Sequence, residues 1–64
     1  MNYTLHFKRI GKRRERLKIE GVREAREFIA KQPDVEGLVT VRDPSRHVVA
    51  FWINQPTQAH DNNP

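Results

Sequence analysis

The chain has 64 residues, no cysteine, a hydrophobic content of 36% and a net charge of +4. A chain of this length forms one domain and buries only about 60% of the surface of its unfolded state. Without cysteine it has no disulfide and no thiolate metal ligand, and a reducing, cytoplasmic setting is expected. The apolar runs are far shorter than the roughly 18 residues of a membrane span, and the N-terminus lacks the apolar segment of a signal peptide, so no membrane partner is expected.

The first third of the chain predicts a β-hairpin. Apolar residues alternate with polar ones in two short segments, which is the period of half-buried strands. These apolar residues are Tyr3, Leu5 and Phe7 in the first segment, and Leu17 and Ile19 in the second. Gly11 lies between the two segments and predicts the turn.

The register of this hairpin is limited by parity, because a slip of one residue would place charges in the core. The numbers of opposed residues must then sum to an even number, for example Phe7 with Leu17 and Leu5 with Ile19, which requires an odd-length loop such as residues 11–13. On the outward face this register pairs Lys8 with Arg16, His6 with Lys18, and Ile10 with Arg14. Directly opposed like charges destabilise a sheet, so this arrangement favours a function that needs them.

The segment Val22–Gln32 predicts a helix, because its residues are good helix formers and its apolar residues recur at helical spacing. The residues on the apolar face are Val22, Ala25, Phe28 and Ile29. Pro33 has no backbone N–H and biases Gln32 towards extended geometry, so the helix is expected to end there.

The second half predicts another hairpin, with strands at 37–42 and 47–53 and a turn at 43–46. The fold class is therefore α+β, in the order β-β-α-β-β, with a four-stranded, mainly antiparallel sheet and one helix packed on one face. Residues 1–54 form this single domain, and residues 55–64 are expected to be a disordered polar tail. An order β1-β2-β3-β4 with a right-handed crossover and an all-antiparallel order both satisfy the connection rules.

Basic residues are concentrated between Lys8 and Lys18, where seven of them accompany one acid, Glu15. This segment has a net charge of +6 and the rest of the chain −2. A cationic lobe of this kind indicates an anionic partner, and nucleic acid is the first candidate. The residues expected to contact a DNA or RNA backbone are Lys8, Lys12, Arg13, Arg14, Arg16 and Lys18.

Two other interpretations of the basic cluster stay open. Basic side chains on a hairpin also protect an edge strand from aggregation and keep a small domain soluble. The cluster also suits an acidic protein partner. The pattern does not distinguish DNA from RNA or one strand from two.

The second hairpin offers an alternative function. If Val39, Val41, Val49, Phe51 and Ile53 form its core face, then Leu38, Val48 and Trp52 point outwards. Such an apolar outward face predicts a protein-interaction module: a small regulator, an inhibitor or a homodimeric subunit. An outward Trp52 could also stack on an unpaired base, or pack under the tail.

No pattern in the sequence predicts catalysis, a metal site or a cofactor. His6, His47 and His60 have no spacing typical of shared metal ligands. Ser45 is the only serine and has no nucleophile elbow around it. A domain this small seldom encloses a pocket of enzyme size, so we expect a non-catalytic protein.

Overall fold

The computed structural model describes residues 2–56, which form four strands and one helix. In chain order these are β1 (Tyr3–Lys8), β2 (Arg14–Ile19), α1 (Val22–Ala30), β3 (Gly37–Arg42) and β4 (Val48–Asn54). The predicted α+β class and element order are confirmed. Of the predicted polar tail, only Gln55 and Pro56 lie within the described residues. No helix within residues 2–56 is both long enough and apolar enough to cross a membrane.

The sheet has the strand order β2-β1-β3-β4, and every neighbouring pair is antiparallel. Of the two orders that the sequence left open, the antiparallel one is therefore present. The helix connects edge strand β2 to the inner strand β3. The two edge strands of the sheet are β2 and β4.

The helix begins after Gly21, whose carbonyl accepts the N–H of Ala25 at 3.1 Å. It ends at Ala30, two residues before the predicted end. The N–H groups of Lys31 and Gln32 donate to carbonyls three residues back, at 3.1 and 3.0 Å. This tighter turn closes the helix ahead of the proline.

The core lies between α1 and one face of the sheet, as predicted. Ala25 and Ile29 are buried on the predicted helix face, and the Phe28 ring meets the Phe7 ring edge-on at 5.6 Å between centroids. The buried apolar residues are Leu5, Phe7, Ile19, Ala25, Ile29, Val35, Val39 and Val41. Val35, which lies between α1 and β3, was not predicted to be part of the core.

The register of the first hairpin differs from the predicted one by two residues. Leu5 lies opposite Leu17, and Phe7 lies opposite Glu15. The shift is even, so the predicted faces are correct although the predicted pairs are wrong. On the other face Lys8 lies opposite Arg14, in place of the predicted pairs of Lys8 with Arg16 and of Ile10 with Arg14.

The cause of the longer connection is Arg9. Its Nε donates to Glu15 at 3.0 Å, and its Nη1 donates to Asp34 at 2.9 Å and to Gln32 at 2.8 Å. The N–H of Ile10 also donates to the carbonyl of Asp34 at 2.8 Å. The chain after β1 therefore binds the segment that precedes β3, and it cannot pair with β2 at the same place.

The predicted core face of β4 is wrong. Val39 lies opposite Trp52 and Val41 opposite Ala50, so Trp52 and Ala50 share the helix side of the sheet. The guanidinium of Arg26 on the helix lies 4.6 Å from the centre of the Trp52 ring. Phe51 and Ile53 face away from the helix. Because residues of both parities are apolar in this strand, alternation alone could not select its buried face.

We expect Leu5→Ala to destabilise the domain by about 2–5 kcal/mol, because Leu5 is 0% exposed and its removal leaves a cavity. A domain of this size has roughly 3–5 kcal/mol in total, so a large fraction of this variant should be unfolded in water. Ile53→Ala is the control, since Ile53 is 67% exposed. Urea denaturation followed by circular dichroism measures both, and equal stabilities would contradict the assignment of the core.

Candidate nucleic-acid interface

The sheet face that points away from α1 is called the open face below. It is formed by alternate residues of each strand, as the register requires. These residues are Arg14, Arg16 and Lys18 on β2, Thr4, His6 and Lys8 on β1, Leu38, Thr40 and Arg42 on β3, and Val48, Phe51 and Ile53 on β4. One half of the open face is therefore basic and the other half is apolar.

The basic half is concave. A groove of about 670 Å³ runs across the two inner strands, with Thr4, His6 and Thr40 among the residues that line it. Arg14 and Arg16 line it from edge strand β2, and Arg42 and Arg46 line it from the second hairpin. We define the basic face as Arg14, Arg16, Lys18, Arg42 and Arg46.

Asp43 is the acidic residue that lines this groove, and its carboxylate is engaged in the turn. Its Oδ1 accepts the N–H of His47 at 2.9 Å, and its Oδ2 lies 3.6 Å from the Nδ1 of the same residue. The Arg46 N–H donates to the Asp43 carbonyl at 2.8 Å, which confirms the predicted turn at 43–46. The Asp43 carboxylate thus stabilises the turn of the second hairpin.

The predicted binding residues divide into three groups. Arg14, Arg16 and Lys18 are exposed on the open face, as expected. Lys12 and Arg13 are exposed in the connection before β2, and neither forms an ion pair with a described residue. Lys8 is paired, since its Nζ lies 2.6 Å from the Oε2 of Glu36.

Arg9 is the second cation of the Lys8–Lys18 segment that is paired, with Glu15 and Asp34. Its hydrogen bond to Asp34 raises the pKa of its guanidinium, so it stays charged while it holds two loops together. Two of the seven cations therefore stabilise the fold, and the other five form no ion pair within residues 2–56. The basic cluster is therefore present, but it has fewer cations without an ion-pair partner than its net charge of +6 indicated.

Arg42 and Arg46 belong to the basic face although the sequence interpretation did not place them in the binding site. Arg42 lies opposite Thr4 of β1, and its Nη1 donates to the Arg46 carbonyl at 2.8 Å. Arg46 has a positive φ of 71° in the turn. Alternation along β3 already predicts that Arg42 points away from the core. Only the pairing of β1 with β3 brings it beside the first hairpin.

Like charges oppose each other less often than expected. Lys8 and Arg14 are the directly opposed cations of the first hairpin, and Lys8 is neutralised by Glu36. His6 lies opposite Arg16, and Thr4 lies opposite Lys18. Arg16 and Lys18 of β2 thus face polar, uncharged residues of β1, which lowers the electrostatic cost of the cluster.

The pKa of His6 is affected by burial and by the positive charges of the basic half. Burial holds its pKa below the ordinary histidine value, and the charges of Arg42, Arg14 and Arg16 lower it further. His6 is therefore neutral at neutral pH, and its ring offers one hydrogen-bond donor and one acceptor.

The apolar half of the open face is exposed. Phe51 and Ile53 are each 67% exposed, and they are flanked by the less exposed Leu38, Val48 and Val49. Of the predicted interaction face, Leu38 and Val48 therefore lie on this surface, opposite Ile53 and Arg42 respectively. Trp52 does not, because it packs on the helix side. Phe51 takes its place as the exposed aromatic residue.

The remaining histidines and serine lie apart from this surface or outside the described residues. His47 and Ser45 lie in or beside the second turn and do not line the groove, and His60 is beyond residue 56. The described part of the chain contains no group of three or more His, Asp and Glu residues that could hold one metal ion.

Comparison of the chain with models of protein families, with curated proteins and with solved structures finds no match.

We expect Arg42→Gln to raise the pKa of His6, because it removes the charge that contributes most to disfavouring the imidazolium. Lys12→Gln is the control, since it removes one charge from the loop, away from the groove. NMR titration of the imidazole Cε1–Hε1 signal measures the pKa in each variant. A shift equal to that of the control would contradict the groove geometry.

Proposed function

We propose that this chain is a small, non-catalytic nucleic-acid-binding module that holds a phosphate backbone against the basic face. The proposal keeps the partner class expected from the sequence and revises the binding residues. Arg14, Arg16 and Lys18 are retained, and Arg42 and Arg46 are added. Lys12 and Arg13 flank the site, and Lys8 is removed from it because of its pairing with Glu36.

The observation that supports this proposal most strongly is the convergence of two hairpins on one groove. Cations of the two hairpins that are 26 or more residues apart in the chain line the same 670 Å³ concavity, in which the carboxylate of Asp43 is already engaged. Cations placed only for solubility are expected to be spread over the surface and mixed with acids. Guanidinium groups on both sides of a groove instead suit an elongated polyanion.

Charge distribution over the rest of the domain is consistent with this proposal. Glu15, Asp34 and Glu36 pair with Arg9 and Lys8 at one end of the sheet. Glu24 in the first turn of α1 accepts the backbone N–H of Glu20 at 2.7 Å. These acids thus have structural partners outside the groove. Contacts to phosphate give little sequence preference, so we propose weak sequence specificity.

If the five cations of the basic face each neutralise one phosphate, affinity should fall with salt at a log–log slope of about −3.5 on single strands and about −4.5 on duplexes. The double variant Arg14→Gln/Arg16→Gln should reduce the magnitude of that slope by roughly 1.4–1.8. Fluorescence anisotropy with labelled DNA and RNA oligonucleotides at several salt concentrations measures it.

The control is Arg23→Gln, which removes one exposed charge from α1 on the other side of the domain. It should leave the slope within error of the unchanged protein. Circular dichroism of each variant verifies the fold. A folded double variant with the slope and affinity of the unchanged protein would exclude the basic face as the binding site.

The uncharged edge strand β4 favours a second candidate function, self-association. Its seven residues Val48–Asn54 include no charge, whereas the β2 edge carries Arg14, Arg16 and Lys18. Antiparallel pairing of β4 with β4 of a second copy, centred on Phe51, places Val49 opposite Ile53 and the small Ala50 opposite the large Trp52. Such two-fold pairing is self-complementary and opposes no like charges.

For this candidate we expect dimers in sedimentation velocity at high protein concentration and their loss in Ile53→Lys, because a lysine on an edge strand prevents edge pairing. The control is Leu17→Lys, which introduces the same charge on the other edge strand. A monomer at every concentration would eliminate the dimer.

A further inference from the structure

One row of side chains crosses the whole open face. Phe51 lies opposite Thr40, Thr40 lies opposite His6, and His6 lies opposite Arg16. The row therefore begins with an aromatic ring on β4, passes over polar groups on the two inner strands, and ends with a cation on β2. Arg42 is next to this row on β3, two residues from Thr40.

Phe51 is the exposed aromatic residue of this face. Its 67% exposure is a cost for an apolar ring in a domain with a small core, and the phenyl group has no polar atom that water could satisfy. Tyr3, Phe7, Phe28 and Trp52 all pack against the core on the helix side. A flat, apolar ring beside a cationic groove is suited to stacking against a planar group that is attached to an anion.

The width of the face distinguishes between single-stranded and duplex ligands. Neighbouring strands lie about 4.8 Å apart, so Phe51 and Arg16 are separated by three spacings, or about 14 Å. The major groove of B-DNA is about 12 Å wide, and a four-stranded sheet cannot enter it face-on. In a duplex the bases are also stacked on one another, which hides the surface that Phe51 would contact.

We propose that the open face binds a single-stranded nucleic acid, with one base stacked on Phe51 and the adjoining phosphates held by Arg16 and Arg42. This inference rests on the proposed function and specifies its ligand. The strand runs across the sheet from β4 towards β2. The half-buried, neutral His6 lies beneath the sugar and the base edge, where it offers hydrogen bonds without a charge, and the buried Thr40 forms part of the floor of the groove.

Charge complementarity favours this occupant over a protein that docks on the apolar half. A partner that covers only Leu38, Phe51 and Ile53 makes no contact with the arginines on the other side of the groove. A second copy paired along β4 would place the two Phe51 rings opposite each other, but it would leave the arginines of the basic half uncovered. A single strand uses both halves together.

The test compares Phe51→Ala with Ile53→Ala in the full chain. The two side chains have the same exposure, 67%, on the same face of the same strand, and only one of them is aromatic. Stacking of one base on an aromatic side chain is worth a factor of about 5 to 150 in affinity. Phe51→Ala should therefore weaken binding of labelled oligothymidylate and oligouridylate by such a factor, and Ile53→Ala should weaken it far less.

Two further probes separate stacking from charge. Inorganic polyphosphate has the anions without the bases, and a duplex has its bases hidden, so Phe51→Ala should leave the affinity for both unchanged. Phe51→Trp should retain the affinity for the single strands, because the larger ring also stacks. Comparison of the two oligonucleotides shows whether the sugar 2′-hydroxyl contributes.

Three results would overturn the inference: single-strand affinity unchanged in Phe51→Ala, equal losses in Phe51→Ala and Ile53→Ala, or a loss that appears only because a dimer has dissociated, which sedimentation of the same samples detects. Binding of single strands, duplex and polyphosphate with the same salt dependence and no effect of Phe51 would leave the proposed function standing and reject the stacking role. Absence of binding to every polyanion would reject both.

Discussion

The nine-residue helix can cover only one face of a four-stranded sheet, and the remaining features of the molecule depend on that limit. The covered face holds the buried side chains of β1 and β3, which account for half of the buried core residues. The opposite face meets water, so its composition is free of the demands of packing. Residues can be basic at one edge and apolar at the other without disturbing the core. The surface on which a ligand would lie is thus separated from the interactions that stabilise the fold.

Much of the fold could be predicted from local patterns. Alternation in β1 and helical spacing in α1 each identify one buried face, because only one parity or one stripe is apolar. The register of the first hairpin could not be predicted fully, because registers that differ by two residues bury the same face. Arg9 decides between the possible registers, by bonds to Gln32 and Asp34 that join segments more than 20 residues apart. A contact of that range leaves no mark on local periodicity.

The candidate site was predicted in part, for a related reason. Arg14, Arg16 and Lys18 could be assigned to one face from their alternation with Leu17 and Ile19. Arg42 joins them only because β1 pairs with β3, which depends on strand order. In β4 both parities are apolar, and the choice between Phe51 and Trp52 is made by the helix, where Arg26 lies over the indole ring. Local alternation cannot supply that information.

The separation of charges has a consequence for how the domain approaches a ligand. The five cations of the basic face form no ion pair within residues 2–56, whereas the two arginines and two glutamates of α1 cancel. Positive charge is therefore displaced towards the open face, which gives the molecule an electrical dipole. In the field of a distant polyanion such a dipole rotates the molecule before contact, so that most encounters begin with the open face forward. This orientation acts over about one Debye length, roughly 10 Å at 0.1 M salt. Salt should therefore slow association even before it weakens the bound state.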